Sequence, residues 1–379
     1  MINYAERNTR LTLFFTKKTG LSTWARVGNL DRETALYKKL SEKLKGVSFV
    51  TYGGEKDKKL SDRLNNIKLL PAHWHKREVN TVLELILKYY PELRRTTLLK
   101  TNQIDGAQIP IFFKKRFGKK LIVRCGYLHS YFIKQKTHNQ REIENAVYLE
   151  KKAFMSADLG IVTSKWQKDI VVKNYKINPE KIKIIPNYVL TDIFKPYPHF
   201  KKEFDLIYAG RSGKQKNLKN LFEALYHLKR KNKKLSLLMI GGCSSDIEVR
   251  TMAAQYDLDI TFKGNIPNFD LPMFLNRARI FILPSNYEGH PKSLIEAMSC
   301  GLPCIGSDVM GIKEDITHME TGYLCGANYE SIAEAIEVLS ADKSLRKVMG
   351  KKARKYVLSN YSLGIILKKE LETIREVIK

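Results

Sequence analysis

Two carboxylates and a helix-breaking trio share one short stretch, NYEGHPKSLIEAMSCG (286–301). Glu288 and Glu296 are separated by seven residues, and Gly289-His290-Pro291 directly follows the first. RIFILPS (279–285) reads as a strand and LIEAMS as helix, with Pro291 suited to the first helical position, where its missing N–H costs nothing. A helix beginning at His290–Pro291 leaves the backbone N–H groups of Lys292, Ser293 and Leu294 free, which with the helix dipole make an anion site. Gly289 lets backbone approach a ligand closely. Glu296, one to two turns into the helix, suits ribose hydroxyls, and Glu288 on the loop suits sugar hydroxyls or an acceptor. Taken alone, the stretch fits equally well an ordinary strand–turn–helix with Glu296 on the surface.

A second set of charges stands upstream. After the strand DLIYAG comes RSGKQKN, with Arg211 and Lys216 five positions apart on a loop leading into a helix. Two cations on one loop can neutralise a diphosphate leaving group without a metal. A solvated basic loop is the plain alternative, and it covers Lys214 easily.

These residues need elements to hold them. Apolar runs at 11–16, 47–53, 96–101, 121–125, 159–164 and 182–187 alternate with amphipathic stretches, and a second series follows at 205–211, 235–242, 260–264, 279–285, 302–308 and 322–325. Alternating βα units with continuous Val/Ile/Leu strands predict parallel sheets covered on both faces. The fold class is α/β with two Rossmann-like domains, and ligands of such sheets bind beyond the carboxyl ends of the strands. At 379 residues the chain exceeds what one core supports. The expected division is 1–190 and 191–361, joined through NYVLTDIFKPYPHFKKEF (187–204), with a final amphipathic helix at 362–379 packing back on the first domain.

The segment 205–326 resembles the C-terminal domain of family 4 retaining glycosyltransferases, which have the GT-B fold of two Rossmann-like domains facing each other across a cleft. The resemblance rests on Tyr208-Ala-Gly210-Arg211 with Lys216, IGG (240–242), FKGNI (262–266), the Glu288–Glu296 pair, GI…E (311–314) and TGYL (321–324), in that order. It implies that Arg211 and Lys216 hold the donor diphosphate beside Gly210, and that Glu296 binds ribose. It further implies that Glu288 faces the donor sugar, and that backbone around Gly289, His290, Pro291, Ser293 and Leu294 touches sugar and phosphate. Ile266 would sit beside the base. Glu-Gly-His-Pro stands here where the family often has Glu-Gly-Phe-Gly. No cofactor or metal is implied, and the expected donor is a nucleoside-diphosphate sugar, with UDP the leading base.

Upstream the resemblance is thinner. SADLGIVTSKWQKD and KIKIIPN…DIFKP (156–196) match the end of the family's first domain, but its double-Gly loop is absent, and Gly20 is the substitute expected near the donor phosphates. Strand ends offer Asn102 and Gln103 for acceptor hydroxyls, and Arg124, Tyr127 and His129 after VRCGYLHS, with Arg124 or His129 as the acceptor orienter. His73 and His75 in PAHWHKRE suggest a metal, but one short His-x-His without a carboxylate partner beside it is not read as a metal site. DLD (257–259) reads as a helix-ending loop.

The formal net charge is +28 (Lys+Arg 67, Asp+Glu 39), which attracts anions of every kind. No zinc-finger spacing or RNP-like strand accompanies it, so no specific nucleic acid is expected. IPIFFKKRFGKK (109–120) sets Ile111, Phe112 and Phe113 beside cations, which suits an anionic bilayer. The five cysteines are scattered and no apolar run spans a membrane. The expectation is a hexosyltransferase in the cytoplasm, peripheral on the inner face of the membrane. It acts on a glycan or lipid-linked acceptor in cell-surface polysaccharide synthesis. A nucleotide-sugar epimerase, a non-catalytic binding protein and a basic nucleic-acid-binding protein are the competing readings.

Overall fold

The computed structural model describes residues 4–379, with side chains from Glu6 onward. It divides into two compact units, Met1–Pro186 with Ile366–Lys379, and Asn187–Ile365.

In the first unit β1 (Arg10–Phe14), β2 (Gly46–Thr51), β3 (Ile67–Pro71), β4 (Leu98–Thr101), β5 (Lys120–Cys125), β6 (Leu159–Val162) and β7 (Ile182–Ile184) form one parallel sheet, ordered β3-β2-β1-β4-β5-β6-β7. β3 escaped the sequence reading because Lys68 interrupts a short apolar run. In the second, β8 (Phe204–Ala209), β9 (Leu237–Ile240), β10 (Ile260–Lys263), β11 (Ala278–Leu283), β12 (Cys304–Ser307) and β13 (Tyr323–Cys325) run parallel in the order β10-β9-β8-β11-β12-β13. Ile207 pairs with Leu238 on one side and Phe281 on the other, and all three are buried. Strand order reverses between β1 and β4 in one sheet and between β8 and β11 in the other. At such a reversal the following loops part and leave a crevice.

The last helix, Leu363–Ile378, buries Ile366, Leu371, Ile374 and Val377. Its Glu370 is fully buried in the first unit and receives the equally buried Lys100 Nζ at 2.6 Å, with Arg124 Nη1 at 3.6 Å. Burial pushes the Lys100 ammonium below its ordinary pKa, with Arg124 acting the same way and Glu370 opposing. Lys183 pairs with Glu376 of the same helix at 2.8 Å.

The stretch expected at a bilayer behaves otherwise. In the helix Gln108–Phe117, Ile109, Ile111 and Phe113 are core residues and only Phe112 of the apolar trio is exposed. Helical periodicity turns Ile111 and Phe113 inward over β4 and β5 and leaves Phe112 on the outer face. Among the described residues no helix is long and apolar enough to cross a membrane.

Candidate functional site

Both loops that part at the β8/β11 reversal carry the expected charges. Arg211 is exposed two residues beyond β8, and Lys216 follows in a short 3-10 turn, Lys214–Lys216. Glu288 stands on the loop after β11, almost fully buried. Lys216 Nζ meets Glu288 Oε1 at 2.5 Å, Ser285 Oγ donates to the same oxygen at 2.7 Å, and Gln215 Nε2 donates to Oε2 at 3.2 Å. Gln215 also donates to the Tyr287 carbonyl at 3.0 Å, and its own carbonyl accepts from Asn286 N at 2.8 Å. The two loops are thus laced together, and one lysine carries both the loop's charge and the carboxylate's partner. Gln215 and Ser285 were missed in sequence, where neither polar side chain stands out from its neighbours.

Gly311 backs this loop at φ +85, and a Cβ there would lie 2.2 Å from the Gly289 carbonyl oxygen. Only glycine permits that approach, so the GI…E motif holds the Glu288–Gly289 backbone in place.

The helix observed is Lys292–Ser299, with Pro291 at the N-cap in extended conformation, not at the first helical position. The ring fixes φ equally well at either position, and ψ of 114° places it outside the helix. No side chain caps this end, where helix geometry leaves the first N–H groups without carbonyl partners inside the helix. Glu296 is buried, not a surface residue, and its Oε1 accepts from Asn268 Nδ2 at 3.0 Å. Asn268 and the half-buried Ile266 belong to one loop after β10, which brings the expected base contact and the Glu296 carboxylate together.

His290 turns inward. Its Nε2 lies 3.3 Å from Asp315 Oδ1, which accepts the Tyr361 hydroxyl at 2.6 Å, and its ring meets the Tyr361 ring edge-on at 5.0 Å. The His290 carbonyl accepts from Asn187 Nδ2 at 2.8 Å. The side chain is buried behind the loop and does not point outward.

The first unit gathers other residues at its own strand ends. Tyr127 and His129 are exposed beyond β5 with rings 6.5 Å apart. Gln103 accepts from Gly126 N at 2.8 Å, and Asn102 Nδ2 donates to Thr16 Oγ1 at 3.2 Å, which ties the β1, β4 and β5 loops to one another. Below His129, Ser130 N and Oγ both donate to the buried Glu150, at 3.0 and 2.6 Å. Arg124 points elsewhere: it is held by Glu370 and the Ile185 carbonyl (3.4 Å), because alternation along β5 sends it to the last helix. Gly20 borders a buried carboxylate. A Cβ there would lie 2.4 Å from Asp57 Oδ2, and Asp57 accepts from Ser22 N and Gly53 N.

His73 and His75 do have a carboxylate partner. Glu84, on the helix Glu78–Arg95, lies 3.1 Å from His73 Nδ1 and 2.8 Å from His75 Nε2, and Lys88 reaches it at 2.6 Å. The helix brings it back across the turn, which sequence proximity could not show. Burial works to raise the Glu84 pKa, but the bonds from Lys88, His75 and His73 outweigh it and hold the carboxyl at about 2. Among the described residues no group of three His, Cys, Asp or Glu is arranged to hold a metal.

Residues 190–356 match the family model of glycosyl transferases group 1. An uncharacterized glycosyltransferase of Methanocaldococcus jannaschii is 26% identical over 266 residues, covering 66% of this chain and 67% of the relative. An Escherichia coli protein, UDP-Gal:alpha-D-GlcNAc-diphosphoundecaprenol alpha-1,3-galactosyltransferase, is 26% identical over 212 residues, and the chain spans about half of it (54%) and matches over 52% of its own length. Among solved structures, sucrose-phosphate synthase from Thermosynechococcus elongatus superposes with a TM-score of 0.80 over 97% of this chain and 98% of that one, at 19% identity.

Proposed function

We infer that this glycosyltransferase is a retaining hexosyltransferase that works without a metal, since residues 190–356 match the glycosyl transferases group 1 model and the fold is GT-B. Its donor is a nucleoside-diphosphate sugar, with UDP the leading base. Its acceptor is a glycan or a lipid-linked sugar in cell-surface polysaccharide synthesis, a reading favoured by the acceptor named in the Escherichia coli relative.

The observation that carries the reading is the Lys216–Glu288 pair at the β8/β11 reversal, with Arg211 exposed beside it. Arg211 and Lys216 neutralise the additional negative charge that builds on the already anionic diphosphate as its bond to the sugar breaks. Glu296, steadied by Asn268, takes the ribose hydroxyls, and the helix start at Lys292–Leu294 adds N–H donors to phosphate. The bond from the anomeric carbon to the phosphate oxygen breaks while the acceptor oxygen bonds to the same face. The acceptor proton passes to the departing phosphate. Glu288 orients the sugar, and in the first unit Asn102, Gln103, Tyr127 and His129 receive the acceptor.

Membrane contact is peripheral and rests on the helix Glu78–Arg95. Val79, Leu83 and Leu87, four residues apart on one face, are exposed, Leu87 to 84%. Lys76, Arg77, Lys88, Arg94 and Arg95 are exposed on and beside this helix, and each cation near an anionic surface contributes about 1 kcal/mol.

The reading is tested by thermal stability with UDP, GDP, ADP and dTDP, followed by the anomeric configuration of the product by NMR and turnover with EDTA. Stabilisation by one nucleotide, a retained anomer and EDTA-insensitive turnover are expected. Inversion at the anomeric carbon or loss of turnover in EDTA would overturn the mechanism.

A further inference from the structure

The second unit has a basic cavity at the opposite edge of its sheet from the Glu288 loop. Its volume is about 460 Å³, and its walls are Lys202, Arg279, Lys343, Arg346 and Lys347 with the Gly301–Pro303 turn. Lys202 precedes β8, Arg279 is the second residue of β11, and Gly301–Pro303 leads into β12. All three therefore lie at the amino ends of parallel strands, whereas Arg211 and Glu288 follow the carboxyl ends of β8 and β11. Six residues of strand set the two edges about 20 Å apart.

No carboxylate lines this cavity. Two stand nearby and are already engaged. Asp205 lies 3.4 Å from Arg279 and accepts from Ser236, and Asp342 accepts from Leu345 N as the N-cap of the helix Lys343–Asn360. The ammonium of exposed Lys202 and the guanidinium of half-buried Arg346 rest on carbonyls instead: Lys202 on Asn276 and Ala278 at 2.7 and 2.8 Å, Arg346 on Leu339 and Ser340 at 2.5 and 2.8 Å. A carbonyl accepts a hydrogen bond but cancels no charge.

The sequence of the helix start points the same way. Lys343, Arg346 and Lys347 fall in its opening turns, with no acid in the first turn. Cations there oppose the helix dipole, which favours anions at this end. Among the described residues Lys343 and Lys347 make no ion pair. A cluster that repels itself and opposes its own helix is explained by a charge that is brought from outside.

We propose that this cavity binds a multiply charged phosphate-bearing anion of the diphosphate class, at a site separate from the donor's. The planar forks of Arg279 and Arg346 suit phosphate oxygens, and five cations suit more than one negative charge. Such an anion arrives either free or as the phosphate of a lipid headgroup.

The test is calorimetric titration of the full chain with inorganic pyrophosphate, with UDP in excess so that the Arg211–Lys216 loop is occupied. Wild type is compared with Lys343→Gln/Lys347→Gln, two exposed lysines whose loss leaves the core intact. Wild type should take up one equivalent, and the double variant should bind at least tenfold more weakly while its UDP affinity is unchanged. In phosphate-free buffer the variant should melt at or above wild type, since two opposed charges are gone; a purely structural role would lower its melting temperature. Sedimentation with phosphatidylglycerol vesicles separates the sources. Vesicle binding that the double variant loses, without pyrophosphate uptake, assigns the site to a headgroup. Equal pyrophosphate and vesicle binding by wild type and variant, or none by either, overturns the proposal.

Discussion

Lys216 and Glu288 lie 72 positions apart in sequence and 2.5 Å apart in space. Both side chains are nearly buried, so each is the other's main compensation for leaving water. Replacing Lys216 by Ala strands the Glu288 carboxylate, an event that costs about 3–5 kcal/mol for a buried pair. It also removes a cation from the diphosphate. A fall in kcat of roughly 100- to 1000-fold, the scale of losing one stabilising donor, is expected together with a lower Tm. Glu288→Gln keeps an oxygen for Ser285 and Lys216 but turns an NH2 toward the Gln215 donor, so its kcat should fall with a smaller loss of Tm than Lys216→Ala. Steady-state kinetics beside melting curves check both.

Glu296 and Asn268 make a separate forecast. A nucleotide at a hundred times its Kd adds roughly 2.7 kcal/mol, a shift of a few degrees for domains of this size. Glu296→Ala should abolish that shift with UDP. Asn268→Ala should shrink it, because the carboxylate loses the amide that steadies it. An unchanged UDP response in Glu296→Ala would show that ribose is not read here.

Gly311→Ala tests the loop's backing. A Cβ aimed at the Gly289 carbonyl, on a residue at φ +85, must move the Glu288 loop. Strain of about 1–3 kcal/mol is expected. Activity should fall more than stability, read as the kcat/KM ratio against the change in Tm.

Glu84 predicts a pH dependence. Its folded pKa, about 2, lies below the ordinary value of 4.5. A depressed carboxylate stabilises the fold above its unfolded pKa, and the contribution is lost as pH falls through the folded value. The Tm difference between wild type and Glu84→Gln should therefore be full above pH 5 and shrink between about pH 4.5 and 2. A difference constant across that window would refute the assignment.

The exposed apolar face is tested by Leu83→Asp/Leu87→Asp. Sedimentation with anionic vesicles at physiological salt should drop strongly, and turnover on a water-soluble acceptor should stay as in wild type. Retained vesicle binding would place the bilayer contact elsewhere.

All the strands but β3 were legible in sequence, because a run such as RIFILPS must be buried on both faces wherever it lies. Arg211, Lys216, Glu288 and Glu296 were legible as residues, since each sits just past a strand or helix boundary that local pattern marks. Their partners were not. Ser285 and Gln215 on Glu288, Asn268 on Glu296, and Asp315 beside His290 are set by strand order, which brings the β8, β10, β11 and β12 loops to one edge. Local pattern also misjudged burial. Ile111 and Phe113 read as surface anchors beside their lysines, yet the sheet beneath them makes them core, and Arg124 went to Glu370, 246 positions on, because a helix at the far end of the chain packs there. Periodicity and boundary residues specify elements from neighbours in sequence. Which charge meets which carboxylate depends on contacts that exist only once the sheets have closed.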